Sequence, residues 1–98
     1  MSVRVMVFGK LKRLEDQEAF EALITRVSQH IQGTKGYIRD ELLHDPADPG
    51  AYIMMSEWSS SQDFLQWERA PIHKQNTSPL RTYWSADTVF KVYEVVSL

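Results

Sequence analysis

The sequence predicts an α+β domain of order β-α-β-β-α-β, a four-stranded antiparallel sheet with both helices on one face. Three observations carry that prediction. Apolar residues switch along the chain between the alternation of strands and the three-to-four-residue spacing of helices. A loop dense in proline and glycine divides two strand-like runs near the middle. Serine, proline and glycine stand where helices would begin and end.

The run Ser2 to Lys10 (SVRVMVFGK) is rich in β-branched and aromatic residues, with Val3, Val5 and Val7 on one face and Met6 and Phe8 on the other. From Leu14 to Gly33 the period changes: Phe20, Leu23, Ile24, Val27 and Ile31 form the apolar stripe of an amphipathic helix of about five turns. Asp16 is the expected N-cap, and Gly33 or Gly36 the expected stop. Gly36 to His44 is the second strand and Ala51 to Trp58 the third. Asp45-Pro46-Ala47-Asp48-Pro49-Gly50 between them reads as a hairpin loop longer than the tightest type. Ser59 and Gln62 have the spacing of a capping box at the start of the second helix. Pro71 interrupts that helix and suits the first position of a short continuation reaching about Thr77. Trp84 to Val96 is the expected last strand.

Several strands are apolar on both faces: Val5 beside Met6, Ile53 beside Met54, Phe90 beside Tyr93. Helices cover one side only, so the other calls for a second layer. A second copy of the chain stacked sheet on sheet is the economical answer, which predicts a homodimer through the sheet face.

Composition narrows the classes. With 98 residues the chain is expected to be a single domain, 1–98, and 43% apolar with 24% charged residues is ordinary folded usage. A net charge of −2 without a basic stripe argues against a nucleic-acid partner. The lack of cysteine removes disulfides, thiolate metal sites, iron–sulfur clusters and a cysteine nucleophile together, and fits a cytoplasmic setting. The N-terminus has no continuous apolar core of a signal peptide, and no run approaches the ~20 apolar residues of a membrane span.

The chain has no Gly-rich phosphate loop and no G-x-S-x-G turn. His30, His44 and His73 are dispersed without metal-ligand spacing, so no metal is expected. The candidate chemistry lies in Trp58, Phe64, Trp67 and His73. Phe64 and Trp67, three residues apart, share a helix face next to the strand ending in Trp58. Aromatic walls with one imidazole suit a flat apolar ligand, and His73 is able to take a phenolic proton near neutral pH. Aromatics at helical spacing beside a strand also serve simply as core, and a histidine among prolines also serves as surface; both readings stay open. His30 suits a helix C-terminus and His44 the edge of the hairpin loop. Of the adjacent pair Asp40 and Glu41, one must point towards a buried side.

The stretch from Gly36 to His73 runs G-Y-I, a strand, the D-P-A-D-P-G loop, Y-I-M-M-S-E-W, then F-x-x-W and A-P-I-H. In that order it resembles the antibiotic biosynthesis monooxygenase domain, where a strand ending in E-W precedes an aromatic-bearing helix and a Pro, His segment. The resemblance implies a ferredoxin-like monomer, paired as a dimeric α+β barrel, with a pocket inside each subunit. It implies cofactor-independent oxygenation of a quinol or phenolic aromatic by O₂, with no cofactor. Trp58 matches the tryptophan associated with the pocket in that group and His73 its common histidine. His73 is therefore the expected catalytic residue, and Trp58, with Trp67 and Phe64 from the aromatic cluster, the expected substrate-binding set. An alternative is a non-catalytic dimeric module that holds a small hydrophobic ligand or serves in stress response. A third, weaker reading is haem binding or degradation. Trp67 matches the tryptophan of the haem-degrading members, but Gly9 and Thr77 stand where those members carry asparagine and the iron-ligating histidine. Phe64 stands where some oxygenase members carry tyrosine.

Overall fold

The computed structural model describes residues 2–85 and 88–97. Strand β1 (Val3–Lys10) is hydrogen-bonded on both sides along nearly its whole length, which suits its continuous apolar character. It pairs antiparallel with β3 (Ala51–Trp58) and β4 (Val89–Glu94). β3 pairs in turn with β2 (Tyr37–His44), giving the sheet order β2-β3-β1-β4. Helices α1 (Gln17–Ile31), α2 (Ser61–Arg69) and α3 (Pro71–Thr77) complete the α+β, ferredoxin-like arrangement expected from the sequence.

The register sorts the strands into cross-sheet rows. On the helix-covered side they read Tyr37–Trp58–Val3–Glu94, Asp40–Ser56–Val5–Val92 and Leu42–Met54–Val7–Phe90. A fourth, His44–Tyr52–Gly9, ends the sheet. The buried side chains fall into two clusters at opposite ends of these rows. Val3, Val5, Ile31, Trp58 and Phe64 form one; Phe20, Ile24, Tyr52, Leu80 and Trp84 form the other. Val7 packs against both. The core is therefore divided rather than continuous, and the interval between its halves is the site described below.

Element ends differ from the expectations in physically instructive ways. The stop of helix α1 does agree: the helix ends at Ile31 with Gln32 as its C-cap, Gly33 follows with a left-handed φ of 83°, and Gly36, at 84°, turns the chain into β2. Asp16 makes no capping hydrogen bond and instead lies 3.5 Å from Arg13 in an ion pair. The cap of α2 is Ser60, not Ser59: its Oγ accepts from the Asp63 N–H at 3.1 Å, while the Ser59 hydroxyl donates to the Asp63 carboxylate. Trp84 does not begin the last strand. Its N–H goes to the Leu80 carbonyl at 3.0 Å, extending the 3-10 turn of Ser78–Thr82, and its backbone pairs in an isolated bridge with Leu11, just past the end of β1. Residues 86–87 of that expected strand lie outside the described residues, and β4 itself is Val89–Glu94.

Candidate functional site

Between the two halves of the core lies a cavity of about 800 Å³. Its floor is the middle of the sheet: Val5, Val7, Met54, Ser56, Asp40 and Leu42. Its roof is the inner face of α1, from Ile24 to Ile31, together with α2 and α3. Phe64, Trp67 and Phe90 wall one end, and Leu80 and Trp84 the other.

The four side chains singled out in the sequence meet, but in two layers. Trp58 and Trp67 lie 5.3 Å apart between ring centroids, Trp58 and Phe64 5.6 Å, and Trp67 and His73 3.9 Å. Phe64, Trp67 and His73 line the cavity; Trp58 does not. Trp58 is wholly buried, and its Nε1 donates to the Ser56 Oγ at 2.9 Å. It occupies the last row of the sheet, where α2 begins directly over it, so it backs the aromatic wall that Phe64 and Trp67 present. Trp58 therefore stands behind the aromatic wall and not at the surface of the cavity.

His73 sits half-buried on the first turns of α3. Burial holds its pKa below the ordinary 6.5; Glu68 opposes this in part, and Lys74 adds a smaller push downward. Its ring is therefore neutral at pH 7. The Nδ1 of His73 is buried and has no hydrogen-bond partner. One other buried side-chain atom shares that condition among the described residues, the Nε1 of Trp84. A buried polar atom left unpaired costs about 1–3 kcal/mol, and both of these belong to residues that line the same cavity.

Polar groups of the floor and roof are tied to each other. The Ser28 hydroxyl on α1 donates to Asp40 Oδ1 at 2.8 Å. Asp40 is the member of the Asp40–Glu41 pair that turns inward, facing Ser56 across the strand pair. Burial and then the Asp40 carboxylate raise the neighbouring Tyr37 hydroxyl above its ordinary 10.0. Thr77 lines the cavity, but its hydroxyl is donated to the His73 carbonyl at 2.8 Å, holding the α3 turn.

The other histidines lie elsewhere. His30 is exposed in the last turn of α1. His44 stacks on Tyr52 with ring centroids 4.7 Å apart, and its Nε2 lies 2.8 Å from the Pro49 carbonyl. Among the described residues no group of three or more His, Asp or Glu side chains is placed to hold a metal ion, and no helix is long and apolar enough to cross a membrane.

Sequence reasoning overlooked the second helical run. His73, Thr77, Leu80 and Trp84 are spaced four, three and four apart, which puts them on one face of a continuous helical segment, and all four line the cavity. The signal was present but masked by Pro79, which reads as a stop. Here it occupies an opening position of the 3-10 turn, where its missing N–H is harmless.

Known proteins place this arrangement. The chain is 28% identical over 81 residues to Protein SchA of Streptomyces halstedii, a match covering 83% of this chain and 21% of that protein. A 42.8 kDa protein of the whiE locus of Streptomyces coelicolor matches over 67% of this chain and 17% of its own length at 27% identity. The chain thus spans about a fifth of the length of these curated relatives. Among solved structures, SnoaB, a cofactor-independent oxygenase from Streptomyces nogalater, superposes with a TM-score of 0.83 at 14% identity, covering 99% of this chain and 95% of that one. A conserved protein from Methanosarcina mazei Go1 gives 0.83 at 18% identity over 95% and 91% of the two chains. The family model for antibiotic biosynthesis monooxygenase matches residues 4–76, most of the sheet and all of the first two helices, and the chain belongs to that family.

Proposed function

We propose that the chain is a cofactor-independent monooxygenase acting on a quinol or phenolic aromatic. One observation carries the reading: a cavity of about 800 Å³ with an aromatic end wall and, at its edge, a neutral imidazole whose Nδ1 is unpaired. The cavity is large enough for a flat ring system of several rings. Phe64 and Trp67 hold the ring, with Trp58 behind them. His73 accepts the hydroxyl proton. For a phenol with a free para C–H the balance is phenol + O₂ → para-quinone + H₂O. The substrate gives up four electrons, one oxygen atom enters the ring as a carbonyl, and the other leaves as water with two of the substrate's hydrogens. A phenol of pKa about 10 stands at least about 3.5 units above an imidazole below 6.5, so the site must also stabilise the developing oxyanion.

The test is oxygen uptake with a panel of hydroquinones and naphthols, comparing the wild type with His73→Ala across pH. Activity is expected to rise as His73 loses its proton, with a midpoint below pH 6.5, and to fall about 10²- to 10⁴-fold in the variant. Equal rates for the two proteins would remove His73 from the mechanism.

The second reading, a dimeric module that binds a small hydrophobic ligand without turnover, is favoured by one observation. Several hydroxyls that line the cavity are donated to protein acceptors, Ser28 to Asp40, Thr25 to the Glu21 carbonyl and Thr77 to the His73 carbonyl, and Phe64 offers none. Binding of the same panel with no oxygen consumed would decide for it. In either case we propose that the subunits pair through the open sheet face and that the protein works in the cytoplasm, where a chain without cysteine needs no oxidising environment.

A further inference from the structure

We propose that Trp84 is a ligand-binding residue whose indole N–H donates to an acceptor oxygen of the aromatic ligand, at the end of the cavity away from His73. This rests on reading the cavity as a ligand site.

The indole is 94% buried by the complement of its 6% exposure, yet its Nε1 has no acceptor. Trp58 shows that the fold pairs a buried indole N–H where it is purely structural, here with Ser56. Trp84 differs in that it borders the hollow.

Its position is also built. The six-membered ring lies on the backbone of Gly9, where any Cβ would overlap it. Phe20 flanks it at 5.3 Å between centroids, and its backbone N–H is fixed by Leu80. Glycine inside a strand weakens it, so its presence at the one place where the indole seats marks a close approach that the fold maintains.

The placement fits the chemistry that His73 leaves undone. His73 rests on Trp67 in one half of the core and Trp84 packs in the other. Trp84 follows His73 by eleven positions, beyond the end of α3 and the 3-10 turn of Ser78–Thr82. A ligand that engages both is elongated and polycyclic, with a proton to give at one end and an oxygen lone pair to offer at the other. An indole N–H is a donor only. Trp84 therefore selects a carbonyl or phenolate oxygen and rejects a plain hydrocarbon edge, and charge drawn through the ring system onto that oxygen is stabilised there.

The experiment uses 9-fluorenone and fluorene, ring systems of one shape that differ by a carbonyl oxygen. Affinities for wild type and Trp84→Phe are measured by equilibrium dialysis. The indole N–H resonance of Trp84, identified by its proximity to Gly9, is followed by NMR in the wild type. The wild type is expected to prefer fluorenone by about 5- to 30-fold after correction for water solubility. Trp84→Phe should bind both equally. Fluorenone, and not fluorene, should move the Trp84 indole resonance downfield. Equal affinities in the wild type, a preference that survives Trp84→Phe, or a resonance that fluorenone leaves in place would overturn the Trp84 assignment while leaving the cavity as a ligand site. Binding of neither compound would overturn both. Should Trp84→Phe fail to fold, the resonance in the wild type decides alone.

Discussion

A Cβ at position 9 would occupy the volume now filled by the Trp84 ring. Gly9→Ala must displace either the indole or the strand, and overpacking of that kind costs about 1–3 kcal/mol, read as a lower urea midpoint at unchanged slope. In a Trp84→Ala background the sign should reverse. The clash is gone, and alanine is then the better strand residue, so Gly9→Ala becomes neutral or stabilising. A cost that persists in that background would mean the glycine answers to something other than the indole. The pairing of Gly9 with Trp84 was not readable from the sequence, because it joins residues 75 positions apart through backbone contact that no periodicity encodes. The aromatic set was readable because it is local: Phe64 and Trp67 share a helix face, and His73 follows one short helix later. What spacing does not reveal is depth. Trp58 and Trp67 look equivalent in the sequence, but only Trp67 fronts the cavity, because α2 starts above the end of β3 and seals Trp58 beneath it.

The elements themselves followed from periodicity, and the deviations cluster at their ends, where a single hydrogen bond decides the boundary. Helix α2 is the clearest case. Both Ser59 and Ser60 are good capping residues by type, and the backbone chooses between them: Ser60 has the extended φ and ψ of a cap, −156° and 157°, and its Oγ meets the Asp63 N–H. Ser60→Ala is expected to cost about 1 kcal/mol, whereas Ser59→Ala, which removes an exposed hydroxyl, should stay within about 0.5 kcal/mol. Thermal melts of the two variants check the order, and a larger loss for Ser59→Ala would contradict it. Strand β2 shows a second kind of departure. Strict alternation inward from Leu42 through Asp40 would bring Ile38 to the helix side. A register shift between Tyr37 and Arg39 interrupts it, so Ile38 stays half-exposed and Tyr37 turns in against Trp58 at 5.7 Å. Such a bulge leaves no mark in composition, yet it sets where the floor of the cavity ends. The inward place of Asp40 was foreseen only as one of two choices; its partner Ser28, twelve residues earlier on α1, is what makes that choice tolerable in a part-buried setting.

The sheet's open side is as ordered as its covered one. Register lines up Leu43, Ile53, Phe8 and Val89 into an apolar row that crosses all four strands. Met55 and Met6 continue it in the next row between Glu41 and Lys91, and the third row is Arg39, Glu57, Arg4 and Tyr93. Charges in that last row already satisfy one another: Glu57 lies 3.0 Å from Arg39 and 3.7 Å from Arg4. The face is thus apolar at one end and ion-paired at the other, where Arg39 and Arg4 share Glu57 and Arg39 also meets Glu41 at 2.9 Å. Exposure of Leu43 at 41% and Val89 at 57% leaves both ends of the apolar row open in a single chain. A second copy fits because a two-fold axis lets the same row meet itself, and both partners gain from one patch. Sedimentation equilibrium at micromolar concentration is expected to give twice the monomer mass. Phe8→Glu places a charge at the centre of the row, and it should yield monomers that keep the wild-type far-UV spectrum, because Phe8 points away from the helix-side core and the cavity. Monomeric wild type, or a Phe8→Glu variant that still dimerises, would show that this row is not what joins the subunits. If dissociation also weakens ligand binding, the sheet that forms the floor of the cavity depends on being covered from behind, and the dimer is then part of the site rather than only of the architecture.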